Sequence, residues 1–304
     1  MDIPAELAET QVRLRGAEGR AFVAALPGRA ADFLERWELR PAGPPMYGMC
    51  ALVLPVERVR DGTRAVLKLQ DVDEETAGEP LALRAWDGAG AVRLLAYEEE
   101  TGTLLLERLD SARDLSQVGI RDAVRILAEL LGRLTAVEAP PGLRRLGEVT
   151  ARMLDRAPAV LSTVADEDER RLLRDCAAAV REVAAEPGNR LLHWDLHYEN
   201  VLSAVREPGG GPGRDPGRES WLAIDPKPLA GDPGFELLPA LHNRFTAGDV
   251  RWRFDLMTEV LDLDRERARA WTLGRVLQNG LWRHTAGPGA MSRDQAVIAR
   301  TLLS

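Results

Sequence analysis

Lysine is almost absent from this chain: of its 40 basic residues 38 are arginine, and only Lys68 and Lys227 are lysine. Cysteine is as scarce. Cys50 and Cys176 stand in no paired spacing, which excludes a disulfide framework and a thiolate metal site. No apolar run approaches the ~18 residues that a membrane-spanning helix needs, and the opening MDIPAELAET lacks the basic region and apolar stretch of an export signal. A reduced cytoplasmic location without membrane contact is therefore expected. A net charge of -8 leaves no excess of basic charge for a nucleic-acid partner, while it suits a cationic small molecule. With 45% hydrophobic and 29% charged residues, disorder and collagen-like repeats are excluded too.

What is present fits one large domain or two lobes in 304 residues. Helical spacing over 28–38 ends at the Pro41, Gly43, Pro44, Pro45 cluster. Short apolar or alternating runs follow at 51–59, 65–70, 91–99 and 103–109, with a DGT turn at 61–63, and they predict a small antiparallel sheet. One helix, 74–86, interrupts the strands. From Ser111 the text becomes helical, with amphipathic segments at 120–134, 146–157 and 166–185, and closing helices at 236–242, 250–261, 264–284 and 293–303. Short strands and polar loops are expected within 189–203 and 220–233, separated by the Gly/Pro-rich 207–219, which reads as a mobile loop. The class is α+β, with a β-rich lobe at 1–108 and a mainly helical lobe at 109–304.

Polar chemistry clusters in HWDLHYEN, residues 193–200, between the apolar LL and VL pairs. A carboxylate that positions a hydroxyl nucleophile, with an amide five residues on that reaches a divalent cation, provides two parts of a phosphoryl-transfer site. Asp225 ends the apolar run LAID. It suits either a hard-cation ligand or a turn cap. Lys68 lies in the apolar strand AVLKLQ, where an ammonium requires a partner or ligand, and Glu79 on the following helix is the candidate. A partly exposed Lys and a solvated Glu are the plainer alternative.

Lys68, Glu79, His193, Asp195, Asn200 and Asp225, in this order across a β-rich and an α-rich lobe, resemble the protein-kinase-like fold of antibiotic phosphotransferases. The strings DGTRAVLKLQ, LRAWDGAGAVRLL, LLLERLD, HWDLHYENVL and LAIDPKPLAGDPGFELLPAL are similar to the aminoglycoside/hydroxyurea kinase group over roughly residues 5–283. The resemblance implies transfer of the ATP γ-phosphate to a hydroxyl of a small molecule, an aminoglycoside such as streptomycin or, in the same group, hydroxyurea. Lys68 is then expected to hold the α/β phosphates and Glu79 to orient it. Asp195 would position the acceptor hydroxyl, Asn200 and Asp225 would hold Mg²⁺, and His193 would buttress the loop. Backbone groups near Glu107 to Leu109, beside a hinge at 107–114, would meet the adenine. A monomer is expected.

The sequence departs from the common kinase pattern twice. The phosphate-covering turn MYGMCALVLPV offers one glycine, Gly48, and the metal loop reads Asp225-Pro226-Lys227 rather than Asp-Phe-Gly. Lys227 either approaches the phosphates or projects outward. His197 and Glu199 face the acceptor or pack on their neighbours. Asp232 and Glu236 read as cap and first-turn acids, with contact to a cationic substrate as the alternative. Trp271 and Trp282 read as core aromatics. Two competing classes remain: a metal-dependent hydrolase with His193, Asp195, His197 and Asp225 as ligands, which leaves Lys68 and Glu79 unused, and a catalytically silent nucleotide-binding regulator.

Overall fold

The computed structural model describes residues 2–204, 220–286 and 290–304. The segment 207–219, expected as a loop, lies outside them. Of the described residues, one compact unit holds 2–88, 92–110 and 204, the other 89–91, 111–203, 220–286 and 290–304.

The first unit is a six-stranded antiparallel sheet behind a long helix. Strands β1 (Leu39–Pro41), β2 (Met46–Tyr47), β3 (Ala51–Arg58), β4 (Arg64–Gln70), β5 (Leu94–Glu98) and β6 (Thr103–Glu107) run in the order β1-β3-β4-β6-β5, with β2 also on β3. Strand alternation divides β4 into two faces. Ala65, Leu67 and Leu69 join the core formed with Leu26, Phe33, Leu52 and Leu105. Val66, Lys68 and Gln70 therefore belong to the other face.

Helix α1 (Ala5–Arg36) extends far N-terminal of the expected 28–38. It turns a corner at Gly16, whose φ of 57° leaves helical geometry. A Cβ on Gly19 would stand 2.1 Å from the Gln11 carbonyl oxygen, so the corner closes only around glycine. Helix α2 is shorter than expected, Glu79–Trp86 rather than 74–86. Pro80 has no N–H and fits only the first turn, while Asp73 Oδ1 holds the preceding residues in a turn by accepting from the Glu75 and Thr76 amides at 2.9 Å.

The second unit is mainly helical: α3 (Ile120–Leu134), α4 (Leu146–Thr163), α5 (Glu167–Val183), α6 (Leu237–His242), α7 (Val250–Val260), α8 (Arg265–Ala286) and α9 (Arg293–Leu303). Helices α5 and α8 approach closely where Gly274 and Gly280 face Val180 and Leu173. Trp271 is fully buried in α8, as expected, whereas Trp282 is 68% exposed and is no core aromatic. Between these helices lie short strands: β7 (Leu109–Asp114), β8 (Arg144–Arg145), β9 (Arg190–Leu192), β10 (Val201–Ala204), β11 (Trp221–Ala223) and β12 (Leu229–Gly231). They form two three-stranded sheets, β11-β10-β7 and β8-β12-β9.

Candidate active site

In the first unit, Lys68 lies mid-sheet, opposite Val53 on β3 and Leu104 on β6. Its ammonium donates to both Glu79 carboxylate oxygens, at 2.8 and 2.9 Å. Glu79 is fully buried and Lys68 nearly so. Two charges so withdrawn from water persist because each supplies the other's counter-charge. Gln70 Nε2 donates to Glu79 Oε2 at 2.7 Å and is buried as well. Sequence reasoning missed this residue, although its signal was available: two positions beyond Lys68 on a strand lies on the same face.

In the second unit, two loops are laced together. The loop 193–200 leaves β9 and enters β10; the loop 224–228 leaves β11 and enters β12. Because β9 pairs with β12 and β10 with β11, both loops bridge the same two sheets. Backbone hydrogen bonds tie them at each end, Lys227 N to His193 O at 3.0 Å and Ile224 N to Asn200 O at 2.9 Å. Trp194 and Asp225 adopt left-handed backbone angles, φ 68° and 57°, within these turns.

Asp195 Oδ2 accepts from Lys227 Nζ at 2.7 Å. Lys227 is thus neither projecting outward nor independent of the loop. Asn200 Nδ2 donates to the Asp195 carbonyl at 2.9 Å, which turns the other side of the amide, Oδ1, away from that bond. His193 is fully buried and its Nε2 meets the Ile224 carbonyl at 3.0 Å. Burial pushes its pKa down to about 4, so the ring is neutral and acts as a strut between the loops.

Glu236 anchors the loop from below. It is fully buried, and its Oε1 accepts from the Trp194 amide at 2.8 Å. Burial raises its pKa to about 7, against the lowering effect of that amide and of Arg275. Two guanidinium groups approach the Trp194 ring, Arg144 at 4.3 Å and Arg275 at 4.5 Å from its centroid. Such stacks use the planarity and permanent charge of arginine.

The sequence profile of the aminoglycoside/hydroxyurea antibiotic resistance kinases matches residues 36–287. The chain belongs to this family. It is 62% identical to a hydroxyurea phosphotransferase of Kitasatospora aureofaciens, over 100% of this chain and 86% of that protein. It is 49% identical to a streptomycin 6-kinase of Streptomyces glaucescens, over 99% and 97%. Among solved structures, a choline/ethanolamine kinase family protein from Mesorhizobium loti superposes with a TM-score of 0.59 at 19% identity, covering 86% of this chain and 89% of the other. The fold of this kinase is accordingly protein-kinase-like, with a small β-rich part and a larger helical one.

The remaining expected site residues of the kinase are placed unevenly. Gly48 sits in the β2–β3 turn, but its N–H donates to the Ala51 carbonyl at 2.9 Å and is spent within the hairpin. Glu107 Oε1 accepts from the Arg93 amide at 2.9 Å, and Leu109 is buried at the start of β7. His197 lies beside Asp195, and both line a cavity of about 150 Å³. Glu199 is exposed at 63%, with Oε2 3.6 Å from His197 Nδ1. Asp232 accepts from the Gly234 amide at 2.8 Å and pairs with Arg267 at 2.6 Å, and Glu236 is fully buried against the Trp194 amide, so both are engaged within the fold. Asp232 is the cap of the turn ahead of α6 and Glu236 the acid of that turn, as their spacing leads one to expect.

The metal-hydrolase arrangement is not formed either. Among the described residues no group of three His, Cys, Asp or Glu side chains is placed to hold a metal ion, and His193 and Asp195 are engaged with Ile224 and Lys227. No described helix is long and apolar enough to cross a membrane.

Proposed function

We propose that this kinase transfers the γ-phosphate of ATP to a hydroxyl of an aminoglycoside, with streptomycin as the acceptor, and acts in the cytoplasm as a monomer without nucleic-acid or membrane partners. The observation that carries this reading is end-to-end similarity at 49% to a streptomycin 6-kinase combined with a complete set of charged groups for phosphoryl transfer. Hydroxyurea is the second reading, favoured by the 62% relative.

In this reading residues 1–108 form the nucleotide-covering lobe and 109–304 the catalytic lobe. Lys68, fixed by Glu79 and Gln70, meets the α/β phosphates, and backbone groups from Glu107 to Leu109 meet the adenine. Gly48 serves as a tight-turn residue in the covering hairpin. Asn200 and Asp225 suit Mg²⁺: one amide oxygen and one carboxylate are the hard donors that the ion prefers, and the Asn200 amide nitrogen is already held by Asp195. When bound, Mg²⁺ supplies neutralisation of phosphate charge. Asp195 orients the acceptor hydroxyl and takes its proton, while Lys227 keeps the carboxylate aimed. His193 and Glu236 hold the loop that presents it, and His197 and Glu199 lie toward the acceptor. Such a site works mainly by positioning and charge neutralisation.

Mass spectrometry after incubation with Mg-ATP and either streptomycin or hydroxyurea tests the reading, beside an Asp195→Ala control. A gain of one phosphate on streptomycin, abolished in the control, is the expected result. Phosphate on hydroxyurea alone would move the assignment to the second reading.

A further inference from the structure

Residues 5–15 form the first arm of α1, ahead of the corner at Gly16, and belong to the first unit. Leu7, Gln11 and Arg15 recur every fourth residue, which aligns them along one face of the helix. Each is fastened to a different place. Leu7 is fully buried in the core that holds Leu52 of β3 and Leu69 of β4. Arg15 pairs with Asp71, the residue that follows β4. Gln11, between them, is 1% exposed, and its Nε2 donates to the Met49 carbonyl at 3.3 Å, in the turn between β2 and β3. One helical face therefore joins the tip of the β2–β3 hairpin to the end of the strand that carries Lys68.

The hairpin tip stands in solvent, with Met49 73% exposed, and the N–H of its one glycine is spent on the Ala51 carbonyl. A hold from outside the hairpin thus matters for where the tip rests. Stability alone does not account for a glutamine in this position. Its Oε1 is buried with no hydrogen-bond partner among the described residues, a cost that a leucine would not carry. What leucine lacks is the donor to Met49.

We infer that Gln11 is a positioning residue for the nucleotide: it keeps the β2–β3 turn in register with Lys68, so that the turn and the ammonium meet the same phosphates. The inference rests on the phosphotransferase reading above and deepens it. Because the arm acts on the turn and on the Lys68 strand, its influence reaches the phosphates and not the base. Adenosine, which has the base and sugar without phosphate, should not sense it.

The test is isothermal titration calorimetry of the full-length chain with Mg-ATP and, separately, with adenosine, comparing wild type with Gln11→Leu and Arg15→Met. Loss of one holding hydrogen bond should weaken Mg-ATP about three- to tenfold, with adenosine affinity within about twofold of wild type. The melting temperature of Gln11→Leu should be no lower than that of wild type, since the orphaned oxygen is gone. Unchanged Mg-ATP affinity in the folded Gln11→Leu variant overturns the positioning role. An equal loss for adenosine overturns it too, because that marks a general distortion of the unit. Should Gln11→Leu fail to fold, Arg15→Met, which frees the arm at Asp71, decides by the same comparison. If the wild type binds no Mg-ATP, the phosphotransferase reading falls and this inference with it.

Discussion

Replacing Glu236 by glutamine should change how stability depends on pH, and the size of the change follows from the burial of one carboxyl. Glu236 has a pKa of about 7 in the fold against 4.5 for an ordinary glutamate, with burial as the main cause. The stability it contributes is therefore fully present below pH 4.5 and is lost as pH rises toward 7, where the fold must hold a buried carboxylate. At 1.36 kcal/mol per pH unit, the interval between 4.5 and about 7 is worth about 3 kcal/mol. His193 works in the opposite sense. Its pKa falls from 6.5 to about 4, so its contribution is present above pH 6.5 and is lost as pH falls toward 4. Between roughly pH 4.5 and 6.5 the two slopes nearly cancel in the wild type. Glutamine keeps an oxygen to accept from the Trp194 amide and has no proton to lose, so the His193 slope is unmasked. Urea unfolding at half-unit steps from pH 5 to 8 measures this. The stability of Glu236→Gln minus that of wild type should climb by about 1.4 kcal/mol per pH unit up to pH 7 and then level off. A difference that stays flat over that range would refute the assignment of the buried charge to Glu236.

Three further outcomes are expected. Lys68→Met removes the counter-charge of the buried Glu79 and should cost about 3–5 kcal/mol by denaturant unfolding, with Lys68→Met/Glu79→Leu recovering most of it; activity should fall by about 10²–10³ in both. Gly19→Ala forces a methyl against the Gln11 carbonyl, 2.1 Å from the built Cβ, and should cost about 1–3 kcal/mol, read as a lowered melting temperature with the acceptor KM unchanged. Lys227→Met removes the partner 2.7 Å from Asp195 and should lower kcat by about 10²-fold while acceptor KM moves little; an unaltered kcat in single-turnover measurements would contradict the coupling.

Legibility in the sequence tracked the range of the interactions. Helix α3 matches its expected span residue for residue because an amphipathic pattern is local. Residues 5–27 show no continuous helical pattern, since Gly16, Gly19 and Pro27 interrupt it and the corner that tolerates them is tertiary. The Lys68–Glu79 partnership was visible because a strand and the next helix supply both charges within eleven positions. Glu236 was not: it looks like a first-turn acid, and its bond to Trp194 spans 42 positions.

The lacing of the two catalytic loops limits how this chain can vary. A residue inserted between Leu192 and Val201 cannot be absorbed by sliding β9 along β12, because a one-residue slip would turn the buried side chains of both strands to the wrong face. Sliding β10 along β11 meets the same obstacle. The heights of Asp195 and Asp225 are thus set against each other by chain length, much as two rungs are fixed by the rails of a ladder.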